Sequence, residues 1–99
     1  MLILTAKLRA KPGCAQELIN LAERAIGPSR NEEGCLTYEL LQDPFDQESF
    51  TFFEKWRSRE DLDLHFKEPH FLEFAAESEG ITDGAAKLVS YEVSSNDKI

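Results

Sequence analysis

The chemistry available to this 99-residue chain rests on two histidines, one tryptophan and a carboxylate set among aromatic residues. Residues 50–56 read Phe-Thr-Phe-Phe-Glu-Lys-Trp, so strand alternation puts Phe50, Phe52, Glu54 and Trp56 on one face. Glu54 is unusual there, because a carboxylate among rings needs a partner or a raised pKa. A histidine, or an Arg or Lys near the strand end, is the expected partner. Tyr38 comes from the preceding strand, and His65, His70, Phe71 and Phe74 come from helical stretches further on. If those helices close over the strands, the result is an aromatic hollow with few polar groups, suited to a flat aromatic molecule. Imidazole titrates near pH 6.5, which makes His65 the leading candidate base. His70 is the second base or hydrogen-bond donor, and Trp56 the stacking wall. Each has a structural use as well: His65 can hydrogen-bond a strand or loop, His70 can cap a helix, and Trp56 can be core.

Other chemistries find little support. The histidines stand five residues apart across Pro69, Glu54 is the nearby acid on the same face, and no cysteine spacing suits zinc. No metal and no cofactor are expected. Glycine-rich phosphate loops, a nucleophile elbow and paired glycosidase carboxylates are absent. If Cys14 opens the first helix and Cys35 follows its end, about 25 Å of helix separates them. A disulfide needs Cα atoms within about 7 Å, so both read as free thiols.

The elements that must position these residues are legible in turn. Leu2, Leu4, Ala6 and Leu8 alternate with more polar neighbours in a strand ended by Lys11-Pro12-Gly13. Leu18, Leu21, Ala22, Ala25 and Ile26 then recur at helical spacing, and Gly27-Pro28 should kink or end the regular helix. A second strand spans Cys35 to Gln42, with Leu36, Tyr38 and Leu40 on one side. After the turn Asp43-Pro44-Phe45-Asp46, a third strand spans Ser49 to Arg57. Ser58-Arg59-Glu60-Asp61 resembles a capping box, opening a short helix that Pro69 breaks. His70, Phe71, Phe74 and Ala75 form the inner stripe of a third helix closed by Gly80. Ala86 to Val93 is the last strand, and 94–99 a polar tail. The order β-α-β-β-α-α-β predicts a single α+β domain over 1–99: a ferredoxin-like four-stranded antiparallel sheet with helices on one face.

The other face is expected to meet a second copy. Phe53, Leu41 and Ile3 fall opposite the helix-facing residues, and a soluble monomer avoids so large an apolar patch. A homodimer packed sheet on sheet resolves this. With 19 acidic against 11 basic residues, the net charge of -8 argues against nucleic acid or an anionic membrane as partner. No apolar run reaches membrane-span length and the first residues lack a basic leader, so a cytoplasmic protein is expected.

The segments Glu33-Gly34-Cys35-Leu36-x-Tyr38-Glu39-Leu40, Glu54-x-Trp56-x-Ser58 and Pro69-His70-Phe71-x-x-Phe74, with Asp43, Phe52, Leu62 and His65, resemble the antibiotic biosynthesis monooxygenase domain. That resemblance implies a dimeric α+β barrel and a pocket. It also implies a choice of reactions: cofactor-free oxygenation of quinols or anthrones, isomerisation of a phosphorylated signalling molecule, or haem degradation. The haem branch fits poorly, since the first strand lacks its asparagine and its histidine ligand falls near Ala75. The reading that follows is a cofactor-independent monooxygenase whose partners are dioxygen and a small aromatic molecule. The alternatives are an isomerase of a small polar or phosphorylated metabolite, and a non-catalytic dimer that binds a small ligand.

Overall fold

The computed structural model describes the whole chain, Met1–Ile99. Its elements are β1 (Leu2–Arg9), α1 (Ala15–Arg30), β2 (Cys35–Asp43), β3 (Asp46–Trp56), α2 (Arg59–His65), α3 (Pro69–Ser78) and β4 (Lys87–Glu92). A 3₁₀ turn, Glu79–Ile81, extends α3. The sheet is antiparallel throughout, in the order β2-β3-β1-β4, which is the ferredoxin-like arrangement predicted.

Register decides which side chains share the inner face. Leu2, Leu4, Ala6 and Leu8 stand opposite Trp56, Glu54, Phe52 and Phe50, while Tyr38 and Leu40 stand opposite Glu54 and Phe52. Leu2, Leu4, Ala6, Tyr38, Phe52 and Trp56 meet Ala22 of α1 and Leu62 of α2 in the main core cluster. Leu18 of α1 packs with Phe50 and Ala10 in a second. Helical spacing in α1 therefore buries Leu18, Ala22 and Ala25 while its charged residues stay outside. The start of α2 is fixed as its sequence suggested: Ser58 Oγ accepts the Asp61 backbone N–H at 3.2 Å and donates to the Asp61 carboxylate at 2.8 Å.

Three boundaries differ from expectation. First, α1 runs straight through Gly27-Pro28 to Arg30. Proline clashes with the Cβ of the residue before it, and Gly27 has none. The extra turn buries Ser29 completely and lets Arg30 Nε donate to the Tyr38 carbonyl at 2.9 Å. Second, the register of β2 slips between Cys35 and Thr37, so Cys35 turns toward the core and Leu36 is left 55% exposed. Leu36 thus does not share a face with Tyr38. Third, β3 begins at Asp46, because the turn is a two-residue hairpin loop stabilised by the Phe45 N–H donating to Asp43 Oδ1 at 2.8 Å.

The outer face carries Ile3, Thr5, Phe53, Leu41, Val89 and Tyr91, and no helix covers it. Leu41, Val89 and Tyr91 are each about half exposed. No helix is long and apolar enough to cross a membrane.

Candidate functional site

Between the inner face of the sheet and α3 lies a cavity of about 260 Å³. Leu4, Ala6, Phe52, Glu54 and Tyr38 form its floor. Phe66, Phe71, Phe74 and Ala75 form its roof, and Ser78, Glu79 and Thr82 its polar rim. The rings hold one another in place: Phe52 meets Phe74 edge to face with centroids 5.4 Å apart, and Tyr38 lies 5.5 Å from Phe52. Glu54 and Glu79 are the charged residues of the lining, which includes no Lys, Arg or His.

Glu54 is 3% exposed. Its Oε1 accepts the indole Nε1–H of Trp56 at 2.9 Å, so the partner is the tryptophan two residues on, not a histidine or basic residue as the sequence suggested. Burial pushes its carboxyl up from 4.5 to about 7; the indole bond pulls the other way, and the negative charge of Glu32 adds to the rise. Burial also drives the Tyr38 phenol well above its ordinary 10, with Glu54 reinforcing the effect. The cavity therefore contains a carboxyl able to exchange a proton near neutral pH and a phenol that stays protonated.

The remaining candidates lie behind this wall. Trp56 is fully buried beneath Glu54 and does not line the cavity. His65 is 1% exposed, with Trp56, Phe71 and Tyr38 centred 4.7, 5.2 and 5.4 Å from its ring, and it does not line the cavity either. Its Nδ1 lies 2.6 Å from Glu32 Oε2, and His70 Nε2 lies 2.7 Å from the same oxygen. Burial holds the His65 pKa below its ordinary 6.5 against the opposing pull of Glu32. His70 does not cap α3: the cap position is Glu68, with Pro69 in the first turn, and the imidazole turns to Glu32 instead. Of the expected contacts, Tyr38, Phe52, Glu54, Phe71 and Phe74 line the cavity; His65, His70 and Trp56 do not.

Glu32 is the residue that sequence reasoning passed over. It sits in Asn31-Glu32-Glu33-Gly34, beyond the last turn of α1, where a polar loop residue attracts no notice. Only the extension of α1 past Pro28 brings it under α2 and α3. Both cysteines are free, and burial raises the Cys35 thiol to about 11, which leaves it protonated and unreactive. Ala75, at the position where a haem-degrading relative would place its ligand, lines the cavity, and no histidine or cysteine joins it there. The cavity residues do not fit a haem iron.

A four-stranded ferredoxin-like sheet with an aromatic cavity under its helices defines a class of small α+β domains with many activities. Within that class the chain belongs to the antibiotic biosynthesis monooxygenase family, whose description matches residues 1–77. It is 36% identical over 92 residues to the Synechocystis sp. protein named Uncharacterized protein sll1783, a match covering 93% of this chain and 63% of that relative. The crystal structure of PA3566 from Pseudomonas aeruginosa superposes with a TM-score of 0.86 at 35% identity, covering 94% of each chain. A crystal structure described as antibiotic biosynthesis monooxygenase gives a TM-score of 0.89 at 27% identity, over 94% of this chain and 98% of the other.

Proposed function

We propose that this protein is a cofactor-independent monooxygenase of a small, uncharged aromatic substrate of the anthrone or quinol type, with Glu54 as the general base. The observation that carries this reading is a carboxyl with a pKa of about 7 set into an otherwise aromatic cavity. Such a group is half ionised at neutral pH, where a base is most effective. For an anthrone the balance is R₂CH₂ + O₂ → R₂C=O + H₂O. Glu54 takes the first proton, and the carbanion passes an electron to dioxygen. Recombination forms a C–O bond, and loss of water from the hydroperoxide breaks the O–O bond. The substrate supplies all four electrons, so no external reductant enters. Tyr38 donates a hydrogen bond to the developing enolate oxygen, and the rings exclude water.

His65, His70 and Trp56, on this reading, support the wall and orient Glu54 rather than touch the substrate. The two carboxylates of the lining, Glu54 and Glu79, with no basic residue beside them, disfavour the phosphorylated-metabolite alternative. Pairing of two copies through the outer face of the sheet, covering Phe53, Leu41 and Tyr91, completes the proposal.

Oxygen uptake with a panel of anthrones and quinols, without added metal or flavin, tests it. One O₂ should be consumed per product, with one ¹⁸O atom in the product and one in water. Glu54→Gln should lower kcat by about a hundredfold or more. Silence across the panel, or turnover indifferent to that substitution, overturns the assignment.

A further inference from the structure

Behind the cavity wall three elements converge. Glu32 follows the end of α1, His65 is the last residue of α2, and His70 is the second of α3. Glu32 Oε2, His65 Nδ1 and His70 Nε2 all lie within 4.8 Å of one another. We propose that these three atoms form a binding site for a divalent first-row transition ion, with Zn²⁺ the natural occupant and at least one coordination position left for water.

Two imidazoles and a carboxylate are a donor set that suits borderline ions and disfavours Ca²⁺ or Mg²⁺, which seek more oxygen ligands. Three protein ligands with an open fourth position is a recurrent zinc arrangement. Ligand atoms on a tetrahedral Zn²⁺ stand about 3.3 Å apart for bonds of about 2.0 Å. The two nitrogens lie within 4.8 Å of each other and 2.6 and 2.7 Å from the Glu32 oxygen, so to hold an ion the imidazoles settle at that spacing while the oxygen makes a retreat of about 0.6 Å. Glu32 can make it: its carboxylate bonds to nothing but the two histidines, and no Lys or Arg pairs with it. The Glu32 side chain is 12% exposed and that of His70 15%, which leaves an entry path, while His65 forms the fixed base.

His65 supplies an independent argument. Its Nε2 is buried with no polar partner. In the hydrogen-bonded cluster a neutral ring spends its one proton on Nδ1, and Nε2 is a bare lone pair among aromatic rings, an orphaned buried acceptor. An ion at Nδ1 moves that proton to Nε2. There it lies in an aromatic surround, with the Tyr38 and Phe71 rings centred 5.4 and 5.2 Å from the imidazole, and π systems accommodate an N–H better than a bare lone pair. Metal binding thus replaces the orphaned acceptor with the tautomer that suits these surroundings.

Titration of the unaltered protein with Co²⁺, followed by visible absorption and by NMR, is the test. One Co²⁺ per chain should bind saturably, give the intense visible bands of a four-coordinate site, and broaden the His65 and His70 imidazole signals before any others. Zn²⁺ should displace it and raise Tm. His70→Ala and Glu32→Gln should each weaken binding at least about tenfold, the lower end of what losing even an outer partner costs. The proposal is overturned by no saturable binding, by broadening that begins elsewhere, or by binding that folded forms of both variants retain in full. Because every readout is independent of turnover, failure here leaves the oxygenase reading standing, and failure of that reading leaves this one standing.

Discussion

Replacing Glu54 by Gln should make the protein more stable at pH 8 and leave it nearly unchanged at pH 5. The carboxyl binds its proton more tightly folded, at about 7, than unfolded, at 4.5. Between those values the folded state therefore holds more protons, and stability falls as pH rises. The contribution is intact below about pH 4.5 and lost once pH has passed about 7. At 1.4 kcal/mol for each tenfold in proton affinity, the ionised carboxylate costs about 3 kcal/mol at pH 8 and less than about 1 at pH 5. Glutamine keeps an oxygen to accept the Trp56 indole N–H but brings an amide N–H₂ with no evident partner, a cost of about 1 kcal/mol. The net expectation is a gain of about 2 kcal/mol at pH 8, worth about 8–16 °C in Tm, shrinking to near zero at pH 5. Urea unfolding of both proteins at the two pH values, at one fixed protein concentration, measures this directly. A difference between the proteins that is the same at both pH values would show that Glu54 is not held at a displaced pKa. The base assignment would fall with it.

Trp56→Phe removes the bond that lowers the Glu54 pKa, so its titration, followed by ¹³C NMR of the carboxyl carbon, should move above about 7; an unchanged midpoint refutes the coupling. Gly34→Ala should destabilise by about 2 kcal/mol or more, because a Cβ there overlaps the Asp61 side chain, which Arg57 and Ser58 hold in place. Chemical denaturation checks it, and a variant as stable as wild type contradicts the close packing. Phe53→Asp, on the outer face, should convert the proposed dimer to a particle of 11.3 kDa in sedimentation while leaving the fold's circular dichroism intact. A wild-type protein already sedimenting at that mass would sink the pairing proposal.

The element order and the inner face were legible because strand alternation and helical spacing are local. Leu2 to Leu8, Phe50 to Trp56, and Leu18 to Ala25 each announce their partners by period alone. The cavity's aromatic members followed from the same faces. What was illegible depends on contacts between distant segments. Gly27-Pro28 carries the local signal of a helix end, but the missing Cβ of Gly27 and the burial of Ser29 overrule it. The slip after Cys35 reverses which of two neighbouring residues is buried, and alternation alone cannot locate such a slip. The pairing of His65 and His70 with Glu32 spans more than thirty positions and rests on that extra helical turn. Sequence reasoning put the histidines in the cavity because it could not see the carboxylate that draws them behind it.

A lining with two acidic residues and no basic one has a consequence for what the cavity admits. In the proposed first step, Glu54 becomes neutral as the substrate becomes an anion, so the total charge inside does not change and no counter-ion is called for. Benzoate-like acids, arriving already ionised, would instead bring a second negative charge into a space of low polarity beside Glu54. Such compounds should neither be converted nor compete. Charge thus sorts candidate ligands before shape does.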